Sequence, residues 1–483
     1  MSVTHSTSNA PPAPRIAGET WRFAALLFFF WSSVVTFEGF LVPYLTSIGF
    51  GSGAAGLIMS SVFLAAIVCA PLWGMVCDAT DGHRKVVVSA LAAAIVIVLL
   101  MPVAAPSFAL VFLLGVLYSA TGNSMPGVLD SWIMRRRLEE PRIEYGIARG
   151  FGSAGFAVGG VVLGRLSDVY GPQVLFPAYA VVIGMALLMI VRLPGGSRSG
   201  SGRAREGSRS DRSTSDESTT DESRPAESMT ADSTPGEATT DTGAEPRPSE
   251  QAASGYGEAV LPEADRPVVA TAMRYSGEAA RAVISSTPYL VFLVVSLVII
   301  IQLRAAITFM PLLIYEVGGS NIHVGLSQTV AASSEIPFMF ATALLLRYFR
   351  PRALLLFGMA GLVVRTGIMG WMMTPGAIVA VQALHGLSFG VFLPVSIHYI
   401  DRVAPRQYAT FFQTLAPSIY FGLGSVIGSS LGGVFVEAFG LRPMYRLLGL
   451  PALAATLAFA CFMLYEHRRG RRTVAGGRRP RYH

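Results

Sequence analysis

Twelve stretches of this chain are apolar over about the length that a helix needs to cross a bilayer, and no other feature restricts the fold as severely. They lie at about 22–47, 54–77, 86–104, 107–132, 145–167, 173–192, 288–315, 322–347, 353–373, 376–400, 408–436 and 442–466. Hydrocarbon offers a backbone no hydrogen-bond partner, so a chain with so many such stretches is committed to membrane-spanning helices. Only 14% of the residues are charged and 52% are hydrophobic, whereas a soluble domain carries about a quarter charged. The first twenty residues are polar and proline-rich, and the apolar run that follows is too long for a cleavable leader, so none is expected. Cys69, Cys77 and Cys461 all fall in apolar stretches and give neither a disulfide framework nor a zinc spacing. No metal and no cofactor are expected.

The formal net charge of +7 would suggest nucleic acid on a soluble protein, but the positions of the charges assign it to topology. Gly51-Ser52-Gly53, Ala105-Pro106, Gly171-Pro172, Gly318-Gly319-Ser320 and Thr374-Pro375-Gly376 mark short connections almost free of basic residues. The opposite connections carry Arg84 with Lys85 (the only lysine), Arg135-Arg136-Arg137, Arg350 with Arg352, and Arg402 with Arg406. By the positive-inside rule the basic face and both termini are cytoplasmic, in a multi-pass plasma or inner membrane protein, and no nucleic acid is expected as partner. The expected order is a cytoplasmic tail over 1–21, a six-helix bundle over 22–194, a disordered linker over 195–286, a second six-helix bundle over 287–467 and a basic tail over 468–483. The linker is rich in Ser, Thr, Asp, Glu and Arg and lacks the apolar surface that would offset its chain entropy. Its end, near 265–285, interleaves Ala and Val with Arg266, Arg274 and Arg281 and reads as a short amphipathic helix.

The two halves repeat. Pro43-Tyr44-Leu45 with Gly56-Leu57 has its counterpart in Pro311-Leu312-Leu313 with Gly325-Leu326, and Arg84 in Arg352. Gly164, Asp168 and Gly171 likewise match Gly433, Glu437 and Gly440 at nearly the same offset. Parallel repeats of this kind imply an all-α fold of twelve transmembrane helices in two pseudo-symmetric six-helix bundles, with a site between them near the membrane middle.

Ionisable residues inside apolar segments locate that site, because each costs on the order of 2.5–3.5 kcal/mol at a helix centre and needs a partner. They are Glu38, Arg149, Arg304, Glu335, Arg365 and His385. Residues equidistant from a helical hairpin's turn lie at equal depth. Arg304 and Glu335 are equidistant from the turn at Gly319, Glu335 and Arg365 from Arg350, and Arg365 and His385 from Pro375, so the four share one level. These four are the candidate proton-coupling residues. Asp130 and Arg149 match about their own turn, which reads either as a structural ion pair or as part of a substrate site together with Glu38. Asn123 and Phe156 complete the candidate substrate contacts, although aromatic residues in such helices also serve simply as packing.

Pro71-Leu72-Trp73-Gly74, then Asp78 and Gly82-His83-Arg84-Lys85, resemble the signature loop between helices two and three of the major facilitator superfamily, with one residue extra around Asp81. The resemblance implies a cytoplasmic gate loop built from Gly74, Asp78, Asp81, Gly82, Arg84 and Lys85. Tyr145-Gly146-x2-Arg149-x2-Gly152-Ser153, Ser334-Glu335-Ile336-Pro337 and Leu384-His385-Gly386 are similar to the branch that holds the lactose permease and the nucleoside and phenylpropionate proton symporters. That likeness implies alternating access, a substrate-contacting Arg149 and proton coupling through Glu335 and His385. In that branch's pattern a second carboxylate follows the histidine by three residues, where this chain has Ser388.

The expected activity is proton-coupled uptake of a small polar organic solute such as a sugar, nucleoside or aromatic acid, by a monomer in the lipid bilayer. A proton-coupled exporter is the alternative, disfavoured because helix four has no Arg before its cytoplasmic end and helix five has no proline. A non-transporting sensor of the same fold is a further alternative. Enzymatic activity is not expected, since no metal-ligand cluster or nucleophile–base pair occurs.

Overall fold

The computed structural model describes residues 18–80, 82–105, 107–193 and 268–475. Its membrane-crossing helices are α1 (Gly18–Ser47), α2 (Ser52–Thr80), α3 (His83–Ala104), α4 (Phe108–Glu139), α5 (Tyr145–Tyr170) and α6 (Pro172–Val191) in the first half. The second half supplies α7 (Thr287–Glu316), α8 (Asn321–Tyr348), α9 (Pro351–Met369), α10 (Pro375–Val403), α11 (Arg406–Phe439) and α12 (Leu441–Arg469). Of these, α8 carries His323, Gln328, Glu335 and Arg347 in one length. A helix that polar is stable in a bilayer only when neighbouring helices cover it.

The repeat seen in the sequence is a repeat in space. α1 packs along α5 and α6, and α7 along α11 and α12. Across the two bundles α5 lies against α8 and α2 against α11, an exchange of equivalent partners. The turns repeat as well: Gly49 and Gly171 take φ values of 96° and 84°, and their counterparts Gly318 and Gly440 take 80° and 87°. A side chain at these four positions would sit in the left-handed region, so glycine is what lets each helix stop where its partner begins. α4 and α11 each contain one widened turn, at Ser119–Asn123 and Ser418–Leu423.

Two boundaries differ from those expected. α4 continues to Glu139, so Arg135, Arg136 and Arg137 are helical rather than in a connection. The reason is local: Arg136 pairs with Glu19 at the start of α1 at 2.9 Å and with Glu139 one turn on, so the last turn carries its own charge partners. A helix at Val268–Ser285 stands where the stretch near 265–285 reads as amphipathic. Ala279 and Val283 of that helix are buried in the second bundle, and the Tyr408 hydroxyl donates to Glu278 at 3.1 Å. Finally, the last helix runs on to Ala475, into the expected basic tail. Residues 195–267 of the linker lie outside the described residues.

Candidate functional site

A cavity of about 340 Å³ lies between the bundles. From the first bundle, α1 contributes Trp31 and Glu38, and α5 contributes Arg149, Ser153 and Phe156. The second bundle faces them with Arg304 of α7, with Gln328, Ala331, Ala332 and Glu335 of α8, and with His385 and Phe389 of α10. Arg149, Ser153 and Phe156 stand at i, i+4 and i+7, and the four α8 residues at i, i+3, i+4 and i+7, so each helix presents one face to the cavity. α5 and α8 run antiparallel, and the Thr329 hydroxyl donates to the Ala157 carbonyl at 2.7 Å. That contact sets Gln328 level with Phe156, and Glu335, two turns away, level with Arg149.

Six of the candidate residues meet here. The Glu335 carboxylate lies 2.9 Å from His385 Nε2, a hydrogen-bonded pair across α8 and α10. Arg304 reaches Glu38 at 3.9 Å, which joins α7 to α1 and thus one bundle to the other. Arg304 also stands over the Phe63 ring, 5.0 Å from its centre. With Arg149 and Phe156, these charged groups line one space that holds opposite charges and aromatic faces together.

Other expected groupings do not form. Arg365 shares the level of the pair but does not line the cavity; it is 2% exposed, and its Nη1 donates to Gln382 Oε1 at 2.5 Å. Gln382 sits on α10 about one turn before His385. Asp130 and Arg149 form no direct ion pair among the described residues: Asp130 faces the Tyr145 hydroxyl, and Arg149 lies over the Trp31 ring, 4.6 Å from its centre. Equal depth on two helices says nothing about which way a side chain points, and here the indole face is the nearer partner. Asn123 ends the widened turn of α4 and does not line the cavity.

Of the gate-loop residues, Gly74 and Asp78 line a second cavity, of about 430 Å³, with His83 and Arg135. Gly82 precedes α3, Lys85 is exposed, and Arg84 donates to the Val191 and Leu193 carbonyls at 3.3 and 3.4 Å. Arg84 therefore ties the loop to the end of α6 within its own bundle. Asp81 lies outside the described residues.

Sequence reasoning missed Trp31, Ser153, Gln328, Phe389 and Phe421 as cavity residues. Gln328 carried a usable signal, an amide inside an apolar segment. The aromatic residues carried none, since the chain has many and most of them pack.

The arginine-poor face is closed by two matching contacts. Asp168, at the end of α5, accepts from the Ser320 hydroxyl at 2.9 Å and from the Asn321 and Ile322 amides at 2.8 and 3.0 Å, at the start of α8. Glu437, at the end of α11, accepts from the Gly53 amide at 2.8 Å, at the start of α2. Both place a carboxylate where a helix leaves its first amides unpaired and its dipole positive.

The profile of the MFS_1 like family matches residues 20–447, nearly the whole described chain. The chain belongs to that family. It is a multi-pass membrane transporter of the major facilitator superfamily. The maltose permease of Geobacillus stearothermophilus is 25% identical over 424 residues, 87% of this chain and 88% of that protein. The putative nucleoside transporter YegT of Escherichia coli (strain K12) is 29% identical over 140 residues, 26% of this chain and 33% of that protein. Among solved structures, the nucleoside transporter NupG matches with a TM-score of 0.67 at 13% identity, over 92% of this chain and 99% of that one. A D-xylose–proton symporter matches with a TM-score of 0.56 at 12% identity, over 91% and 96%. These two likenesses establish the shared fold of this facilitator.

Proposed function

We propose that this transporter imports a small polar organic solute, a sugar or nucleoside, in symport with protons across the plasma or inner membrane, as a monomer with both termini in the cytoplasm. The observation that carries this reading is the Glu335–His385 pair, 2.9 Å apart in the wall of a cavity shared by both bundles. A carboxyl in that position exchanges its proton according to which cation is near, and moving one bundle against the other changes that neighbour. Arg304, which touches Glu38 across the bundles, is such a neighbour. Carboxylates and an arginine around an aromatic wall suit a solute with many hydroxyls, the chemistry that the names of the maltose and nucleoside relatives also describe. The arginine distribution supports the orientation, and under it the face closed by Asp168 and Glu437 is the outer one.

The test is transport by purified protein in liposomes, with proton-driven accumulation and solute counterflow measured separately. Glu335→Gln should abolish accumulation and Glu38→Gln should reduce it, with counterflow surviving in at least one. Accumulation at the wild-type level in both variants would remove the carboxyls from coupling and leave a facilitator or another driving ion.

A further inference from the structure

The guanidinium of Arg149 is held by a ring. It lies over the Trp31 indole, 4.6 Å from the ring centre, and both side chains line the cavity. The indole has a seat of its own. A Cβ on Gly152, one turn beyond Arg149 on α5, would fall 2.7 Å from Trp31 Cδ1 and 3.4 Å from Arg149 Nη1. A residue without a Cβ leaves room there for the edge of the indole and the end of the guanidinium together. Phe30 stands edge-on to the same indole, 6.0 Å away between ring centres.

Two kinds of partner can fix an arginine between membrane-spanning helices. A carboxylate does so by accepting N–H bonds, and a bidentate one takes two of the five donors. An aromatic face attracts the cation and stacks on its plane, and it takes none. Here the carboxylate at matching depth, Asp130, faces the Tyr145 hydroxyl, and among the described residues no oxygen accepts a hydrogen bond from Arg149. A leucine would fill the seat at Gly152 and give the guanidinium no face to lie on. It is therefore the aromatic face of Trp31, and not its volume, that sets the plane.

We infer that Trp31 is a positioning residue for solute recognition: seated against Gly152, its indole sets the plane of the Arg149 guanidinium and so aims that fork of donors at an oxygen of the solute. This rests on the import reading above, with Arg149 as a solute contact, and adds the residue through which that contact is aimed. Trp31 acts through Arg149, so its effect on affinity disappears once the planar fork is gone.

The experiment uses the full-length purified protein and measures Kd by calorimetry, with maltose and uridine as probes. Trp31→Phe keeps an aromatic face and Trp31→Leu removes it. Trp31→Leu is also placed in the Arg149→Lys background, where the charge remains and the plane does not. Trp31→Leu should weaken binding of the preferred probe about 3- to 30-fold, the range that a guanidinium–aromatic contact carries, and Trp31→Phe should stay within about 3-fold of wild type. In the Arg149→Lys background Trp31→Leu should cost less than about 2-fold, because the ring has no plane left to orient. An equal loss in both backgrounds would overturn the inference by making Trp31 a solute contact in its own right. Wild-type affinity in Trp31→Leu would overturn it by showing Arg149 aimed without the ring, and the import reading survives either result. If Trp31→Leu is not monodisperse, Trp31→Met takes its place in the cycle, and loss of folded protein in both would overturn the inference by making the indole structural. A wild type that binds neither probe would overturn the import reading and this inference together.

Discussion

Asp168 offers a direct test of how the two bundles are held together at the arginine-poor face. Its carboxylate accepts three hydrogen bonds from the opposite bundle, at 2.9, 2.8 and 3.0 Å. Asp168→Ala removes all three and the charge at the start of α8. A hydrogen bond to a charged group contributes about 1.5–3 kcal/mol and a capping side chain about 0.5–2 kcal/mol, while water at this half-exposed site takes back part of each. A net loss of about 1–3 kcal/mol follows, which favours separation of the bundles about 5- to 150-fold at roughly 1.4 kcal/mol per factor of ten. The loss should fall on the contact between bundles and spare α8 itself, because Ser320 and His323 form a reciprocal cap of that helix without Asp168. Spin labels at Gln173, exposed at the start of α6, and Gly376, exposed at the start of α10, read the separation by electron–electron distance measurements. Cys69, Cys77 and Cys461 would first be replaced. Asp168→Ala should add a longer-distance population, and Asp168→Asn, which keeps one acceptor, should add a smaller one. Glu437→Gln, which weakens a single bond at 2.8 Å, should do less still, and the combined variant should approach the sum. A distance distribution identical to wild type in folded Asp168→Ala would refute the reasoning.

Arg149→Lys keeps the positive charge but loses the planar guanidinium that lies over Trp31 and presents a fork of donors to the cavity. Solute affinity should fall at least tenfold with membrane expression unchanged, as measured by binding to purified protein; wild-type binding would leave Arg149 a structural role only. Gly155→Val should fail at an earlier stage, because a Cβ there would overlap the Phe28 backbone, and the Gly155 carbonyl accepts from Ser32 at 2.7 Å. The expected result is loss of monodisperse protein in size-exclusion chromatography, and a well-folded, active valine variant would show that α1 and α5 can move apart at little cost.

The architecture was legible because its signals are periodic or cumulative. Bilayer-length apolar runs, basic connections on one face and a recurring Gly-Asp or Gly-Glu pattern need only their order along the chain to imply two six-helix bundles. The site was legible in part for a similar reason. A charge in hydrocarbon is expensive wherever it points, so Glu38, Arg304, Glu335 and His385 announced themselves, and hairpin arithmetic brought the last two to one level.

Which partner each charge takes was not legible, because depth is a property of position along a helix and pairing is a property of rotation about it. Arg365 was placed at the right level, yet it turns to Gln382; Asp130 was matched to Arg149, yet the guanidinium lies on Trp31. The latching carboxylates Asp168 and Glu437 took on meaning only when residues from opposite bundles, distant in sequence, were brought within a few ångströms. The sequence by itself determined that this chain spans a membrane twelve times in two similar halves, since solvation by lipid acts on each segment separately. Only the tertiary structure decided which side chains face the shared cavity and which amides the outer carboxylates cap, since those depend on helix rotation and on contacts between segments.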